Sequence, residues 1–495
     1  MKKIKNILMS LFVVSMFSSC EDATDIVQEG ELGNDVTFET VADLDQYLVG
    51  AVYNNVSNSA EIGFTAVFTD EVGIGPNNGG QEIDLHRFNL NAATDYPSTI
   101  WLQHYTLINR ANRLLEAAEG VTPVVDEEND IDETEQYNNI LAQTRALRAY
   151  AYIQLLSYFS TDMADDSALG VMLFDFVPAI DQKFPRVENS EVYALVESDL
   201  LFASSNIINQ TPGANYKFVS KSMIDAMYAR MYLYRKNYPL ARQYAQSVVT
   251  NSGVTLSVPA TYAQMWADLA QGEIIFAASR PNSNTWGNIA STFYFNTTDA
   301  TGGAFLDMGR NLFNLFPAND VRNTVFVDNT RIVNPDYLTD ADFITSDVLP
   351  INKYPGKGNT PLRNDLKLFR LSEMYFILAE CAVNDGQLPV AAGYIKNIRD
   401  RRFTSAQPLP TYANATAAWA DILLERRKEL CFEGFRYLDI KRLGILANQS
   451  IDRNITDDVI KTLPTTISNT DYRFTLPIPQ DEITGNGSIQ QNPNY

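Results

Sequence analysis

The chain is sparing with the side chains that most often do chemistry. Its 495 residues include two histidines, His86 and His104, and three cysteines. The histidines form no His-x-x-x-His or His-Glu-x-x-His pattern, so a zinc hydrolase is unsupported. His104 falls in an amphipathic run, 98–116, and reads as structural, whereas His86 lies beside a Gly/Asn-rich loop and draws more interest. No Gly-x-Ser-x-Gly elbow, phosphate-binding loop or dinucleotide fingerprint occurs. The acidic run 126–135 (DEENDIDETE) fails as an EF-hand, because Ile131 stands where that loop needs glycine and Tyr137 where it needs its closing glutamate. It reads as a solvated loop, and no metal or other cofactor is implied. A glycosidase needs only two carboxylates, but among 60 Asp and Glu residues no pair stands out.

Binding chemistry is better represented. An aromatic ring accepts the apolar face of a sugar, while amides and carboxylates partner the hydroxyls that would otherwise be desolvated. Trp286, with Asn288 nearby and Tyr294 and Asn296 beyond, has that make-up. So do Asn77, Asn78 and Gln81, in a loop whose glycines permit close backbone approach, with Asp70 and Glu71 just before it. These nine residues are the candidate ligand contacts. Trp286 has a second reading, as an aromatic packed under a loop. Trp101, Trp266 and Trp419 fit helix faces and are assigned to the core. The densest charge cluster is Glu425, Arg426, Arg427, Glu429, Glu433, Arg436, Asp439 and Arg442. Opposite charges three and four apart suit helical ion pairs, and guanidinium forks suit bridges to neighbouring helices.

The elements that must position these residues are mainly helices. Within 144–159, Leu147, Tyr150, Ala151, Leu155 and Tyr158 share one stripe at helical spacing. Residues 220–234 repeat those offsets, and Pro239 then opens a second helix that Asn251 and Gly253 close. Residues 368–383 and 389–402 form a further pair, split at Asn384–Asp385–Gly386. Helix, short turn, helix, with small residues at close approaches, is tetratricopeptide-like logic of degenerate spacing. The fold class expected is mainly α, with loop and short β insertions. Two regions break the pattern: 72–91, and 251–360 with β-like runs at Glu273–Ala277 and Thr292–Phe295.

The N-terminus points to export. Lys2, Lys3 and Lys5 precede a short apolar core, and Ser18 and Ser19 lead to Cys20. That pattern is a secretory signal with a lipobox, in which Cys20 is acylated and becomes the first mature residue. Four segments are expected: signal peptide 1–19, acidic tether 20–36, a helical N-terminal part 37–250, and a C-terminal part 251–495 with an irregular insertion 251–360. The net charge of −22 repels phosphate backbones, so nucleic acid is not an expected partner. Cys381 and Cys431 sit in helical patterns and read as buried thiols, with a disulfide as the alternative.

Several stretches, in this order, resemble the SusD/RagB family of surface lipoproteins. They are Trp101–Tyr105 with Ile108–Asn112; Arg145–Tyr150 running to Tyr158; Arg370–Tyr375 with Ala379–Glu380 and Ile398–Arg399; Glu425–Leu430 through Glu433–Arg436 and Asp439; and Leu476–Pro479 closing on Gln491–Tyr495. The resemblance implies a tetratricopeptide-like scaffold with ligand-binding loops, and no enzymatic activity. It also implies a SusC-like TonB-dependent transporter as partner, over which the lipoprotein acts as a lid. Location at the outer membrane, lipid-anchored and facing outward, is implied too, with Glu21 and Asp22 resembling the acidic export signal. The ligand residues of the family lie in variable loops, so none transfers by motif. The expected ligand is an oligosaccharide. Peptide is the alternative within the same fold, given only four tryptophans, and a surface carbohydrate hydrolase is the alternative from another class.

Overall fold

The computed structural model describes residues 38–179, 182–209, 213, 215–280, 293, 304–357 and 363–495. Helices dominate, and most come as antiparallel neighbours. After α1 (Val41–Tyr47) and α2 (Ser59–Phe68) come the long α3 (Asp95–Ala118) and α4 (Thr134–Phe159), then α5 (Asn189–Asn206). The pair α6 (Lys221–Tyr234) and α7 (Tyr238–Asn251) follows, then the short α8 (Pro259–Trp266). The C-terminal part supplies α9 (Leu371–Asn384) with α10 (Leu388–Arg399), α11 (Ala415–Leu430) with α12 (Arg436–Ala447), and the short α13 (Gln480–Gly485). Single-turn helices fill some of the connections.

Local chemistry sets the helix ends. Ser220 caps α6 by accepting from the Met223 N–H, and Asn237 caps α7 with Pro239 in its first turn, where no donor is lost. Gly386, at φ 72°, makes the turn between α9 and α10. The stripe expected within 144–159 widens in α4 to near-total burial from Asn139 to Phe159. The reason is position: α1, α3, α5 and α6 all pack on α4, and a helix enclosed all round has no polar face to show. Pairs stack in turn, α6 with α7, α7 with α9, and α9 with α10 and α11. Trp101, Trp266 and Trp419 are buried as expected, and Cys381 and Cys431 are buried free thiols. The acidic run 126–135 is a solvent-exposed hairpin between Val125–Asp126 and Ile131–Asp132.

Two small antiparallel sheets brace the frame. Strand β1 (Val72–Ile74) pairs with β3 (Leu306–Met308), and β2 (Ile274–Ala278) pairs with β4 (Leu366–Arg370). The expectation of helix from residue 368 is therefore corrected. Residues 366–370 are extended and buried on both faces, and the helix begins at Leu371. Apolar residues on both faces of a short buried strand carry no alternation to tell it from helix.

Candidate functional site

The Gly/Asn loop leaves the end of β1, and its course is fixed by β3. The register pairs Val72 with Met308, Gly73 with Asp307 and Ile74 with Leu306. Beyond it, the Gly75 N–H donates to Phe305 O (3.1 Å) and the Asn77 N–H to Ala304 O (3.2 Å). A Cβ at Gly75 would lie 2.5 Å from Ala304 O, so the close approach needs glycine. Asn78 Nδ2 donates to Phe305 O (3.2 Å), and its Oδ1 accepts the Gly80 N–H (2.8 Å). Asn78 thus shapes the turn as much as it faces outward, while Asn77 and Gln81 are exposed.

Residues 304–306 are also where the 281–303 segment rejoins the frame. Phe293 O accepts the N–H groups of Phe305 (3.0 Å) and Leu306 (3.1 Å), and the Phe293 ring meets Phe432 edge-on at 5.4 Å. At the other end, the Arg280 N–H donates to Asp365 (2.7 Å), a carboxylate that Lys217 and Lys357 also hold. The structure thus brings the Asn77 turn and Phe293 to one short platform. Trp286, Asn288, Tyr294 and Asn296 themselves lie outside the described residues, as does Cys20.

Asp70 and Glu71 correct the sequence reading: both are closed off from solvent. Arg436 grips Asp70 with two hydrogen bonds of 2.8 Å, and Arg427 lies 3.3 Å away. Burial pushes the Asp70 carboxyl upward, but the two guanidinium groups overcome that and hold it well below the usual range. Glu71 accepts one N–H, from Phe432 at 3.1 Å, and burial pushes it up to about 8. Neither carboxyl faces a ligand; both are struts beneath the turn.

The histidines are struts as well. His86 Nε2 meets Val72 O at 3.2 Å, and burial lowers its pKa to about 4. His104 is fully buried against Glu61. The cluster at 425–442 is a buried ion-pair lattice. Glu429 is held by Arg402 (2.8 Å), Arg370 (2.9 Å) and Arg322 (3.2 Å), and Arg426 joins Asp439 (2.8 Å) to Glu380 (3.3 Å). Most of its pairs cross between elements; within the cluster's own helices only Lys428–Glu425 and Arg442–Asp439 follow helical spacing.

Sequence reasoning missed a cavity of about 210 Å³, away from the Asn77 turn, where α3, residues 172–178 and α13 meet. Trp101 and Tyr105 line it, four apart on α3, with Phe174 and Glu482 opposite. The spacing of the first two was visible in the sequence, but nothing there announced the partners.

Paired helices locked by buried charges, carrying polar loops on a small platform, make the class a helical binding scaffold. Residues 349–495 match the SusD family, and residues 25–233 match a SusD-like family described as starch-binding and associating with the outer membrane. The chain belongs to the SusD/RagB family. SusD-like protein P2 of Formosa agariphila is 25% identical, with 94% of this chain and 95% of the relative covered. A SusD superfamily protein from Bacteroides thetaiotaomicron superposes with TM-score 0.75 at 24% identity, over 92% of this chain and 100% of that one. A SusD superfamily protein from Bacteroides vulgatus gives 0.74 at 21%, over 92% and 100%. The fold is SusD-like.

Proposed function

We propose that this protein is a glycan-binding lipoprotein of the outer membrane, anchored outward through acylated Cys20, that captures oligosaccharide without cleaving it. In this reading it delivers the ligand to a SusC-like TonB-dependent transporter, over which it closes as a lid. The observation that carries the reading is convergence: the amide-rich Asn77 turn and Phe293 hydrogen-bond to the same residues, 304–306. The amides of the turn are of the kind that meets sugar hydroxyls, and Trp286, seven residues before Phe293 in sequence, is the ring the reading assigns to stacking. Family membership supports it, through a matching family described as starch-binding and associating with the outer membrane. No helix among the described residues is long and apolar enough to cross a membrane.

Calorimetry and affinity gels against a panel of neutral oligosaccharides test the ligand. Binding to one of them, lost in Trp286→Ala and reduced in Asn77→Ala, is the expected result. Clear binding of peptides with no response to any glycan would replace the sugar with the peptide alternative, and reducing ends released from a polysaccharide would make the protein a hydrolase. Palmitate labelling lost in Cys20→Ser, and co-purification with the barrel in detergent, test the anchor and the partner.

A further inference from the structure

The cavity between α3, residues 172–178 and α13 is aromatic, small and acidic at once. Trp101 and Tyr105 lie with ring centroids 4.8 Å apart, and Phe174 stands 5.8 Å from Tyr105. Most polar groups around it are already committed. The Tyr105 hydroxyl donates to Met172 O (2.8 Å), Asn112 donates to Phe174 O (3.1 Å) and Phe176 O (2.7 Å), and the Asn109 oxygen accepts from Arg113 (3.0 Å). Two remain. The Trp101 indole N–H, on a residue 1% exposed, faces the Glu482 carboxylate without reaching full hydrogen-bond geometry. The Glu482 carboxylate is half-buried; burial raises its pKa, the nearby Trp101 N–H opposes this, and the charge acting on it is Asp481, of like sign.

At three other places in the described residues, a cation lies between a ring and a carboxylate. Arg230 lies 3.8 Å over Phe369 and pairs with Glu373; Lys353 lies 4.4 Å over Trp266 and pairs with Glu433; Arg310 lies 4.0 Å over Tyr337 and pairs with Asp347. Two arginines close to the cavity are engaged otherwise. Arg113 serves Asn109, and Arg186 is spent on the carbonyls of Phe159, Leu169, Gly170 and Gln490.

We propose that this cavity is a second binding site, which receives the arginine or lysine side chain of a bound polypeptide. The alkyl stem lies against the rings and the charged head meets Glu482. Cation–π attraction and a paired carboxylate favour such a group, and an alkyl stem needs no hydrogen bonds. A sugar ring would bury several hydroxyls against walls made mainly of Trp101, Leu102, Tyr105, Ile108, Met172 and Phe174, and each unmatched hydroxyl is penalised. At about 210 Å³ the space suits one side chain, against roughly 300–1,000 Å³ for a drug-sized pocket. The chain's net charge of −22 favours approach of a cation. The site is independent of the glycan reading, and its failure would leave the Asn77 platform untouched.

The four tryptophans make fluorine NMR of the full 5-fluorotryptophan-labelled chain a direct test, with the Trp101 signal assigned from Trp101→Phe. Nα-acetyl-arginine methylamide should shift that signal saturably, and the neutral citrulline counterpart should not. Glu482→Gln should weaken the arginine response about tenfold, a difference of 1.4 kcal/mol. Leu102→Arg, at a rim position 56% exposed and so tolerant of change, should fill the cavity from within and abolish the response. No saturable shift, an equal response to citrulline, or a full response in either Glu482→Gln or Leu102→Arg overturns the proposal.

Discussion

Asp70 and Glu71 are neighbours in sequence and equally closed to solvent, yet they belong to two regions that treat buried acids in opposite ways. Asp70 belongs to the C-terminal lattice, where each carboxylate meets guanidinium or ammonium groups; with Glu425 and Glu429 it is held well below the usual range. Glu71 belongs to the platform under the Asn77 turn. There burial acts with less opposition, and Glu71, Asp307 and Asp457 rise to about 8, 7 and 6. Asp307 accepts from the Leu349 N–H and its other oxygen has no partner; Asp457 accepts from the Arg310 and Asn454 N–H groups. Desolvation alone does not decide the state of a buried acid; the supply of cations does. The lattice is built from acids that meet cations, and the base of the candidate site is built from acids that release their protons only well above the usual carboxylate range.

The sharpest way to break the lattice is to remove its hub. Arg370 touches Glu273 (2.6 Å), Glu429 (2.9 Å) and Glu433 (2.7 Å). Arg370→Met leaves buried carboxylates short of a cation and should cost about 3–5 kcal/mol, measured by urea unfolding. A loss below about 1 kcal/mol would mean that the lattice behaves like surface ion pairs.

Next in size is pH. Acids raised in the folded state bind more protons there than when unfolded, so their contribution is fully present below the unfolded value and is lost as pH rises through the folded value. For Glu71, from 4.5 to about 8, and Asp307, from 3.8 to about 7, that window spans weakly acidic to mildly alkaline pH. The lattice acids are lowered, so their contribution is present above the ordinary carboxylate range and is lost only on further acidification. Between pH 5 and 8, therefore, the platform should weaken while the frame holds. Hydrogen exchange at 72–74 and 306–308 should accelerate over that range, by an opening free energy on the order of 2 kcal/mol, and Glu71→Gln with Asp307→Asn should flatten the trend. A pH-independent platform in the unsubstituted protein would remove the contrast.

The two regions were unequally legible in the sequence. Helices announced themselves through apolar stripes, Pro239 and Gly386, because those signals are local. The ion-pair lattice was half visible. Its clustered charges stand together at 425–442, and the expected guanidinium bridges to neighbouring elements are present, but the partners Arg322, Arg370 and Arg402 come from distant segments that helical spacing could not name. Asp70 and Glu71 were assigned to a ligand because they precede a polar loop, and spacing carries no information on burial there. The cavity at Trp101 escaped for a related reason: α3 shows its stripe, while Phe174 and Glu482 arrive only through tertiary packing.

The smallest effect on stability should accompany the largest effect on binding, and that separation tests whether platform and ligand surface are distinct. Asn77 and Gln81 are exposed, and exposed substitutions change stability by no more than about 0.5 kcal/mol. Asn77→Ala with Gln81→Ala should therefore leave the urea midpoint unchanged. If the amides read sugar hydroxyls, the same double variant should lose about tenfold in glycan affinity by calorimetry, since each charge-neutral hydrogen bond contributes roughly 0.5–1.5 kcal/mol. Asn78 should behave differently. Its amide holds Phe305 O and the Gly80 N–H, so Asn78→Ala should lower both affinity and the protection of β1. A double variant that destabilises the fold, or an Asn78→Ala that alters binding with no loss of protection, would place the boundary between frame and ligand surface elsewhere.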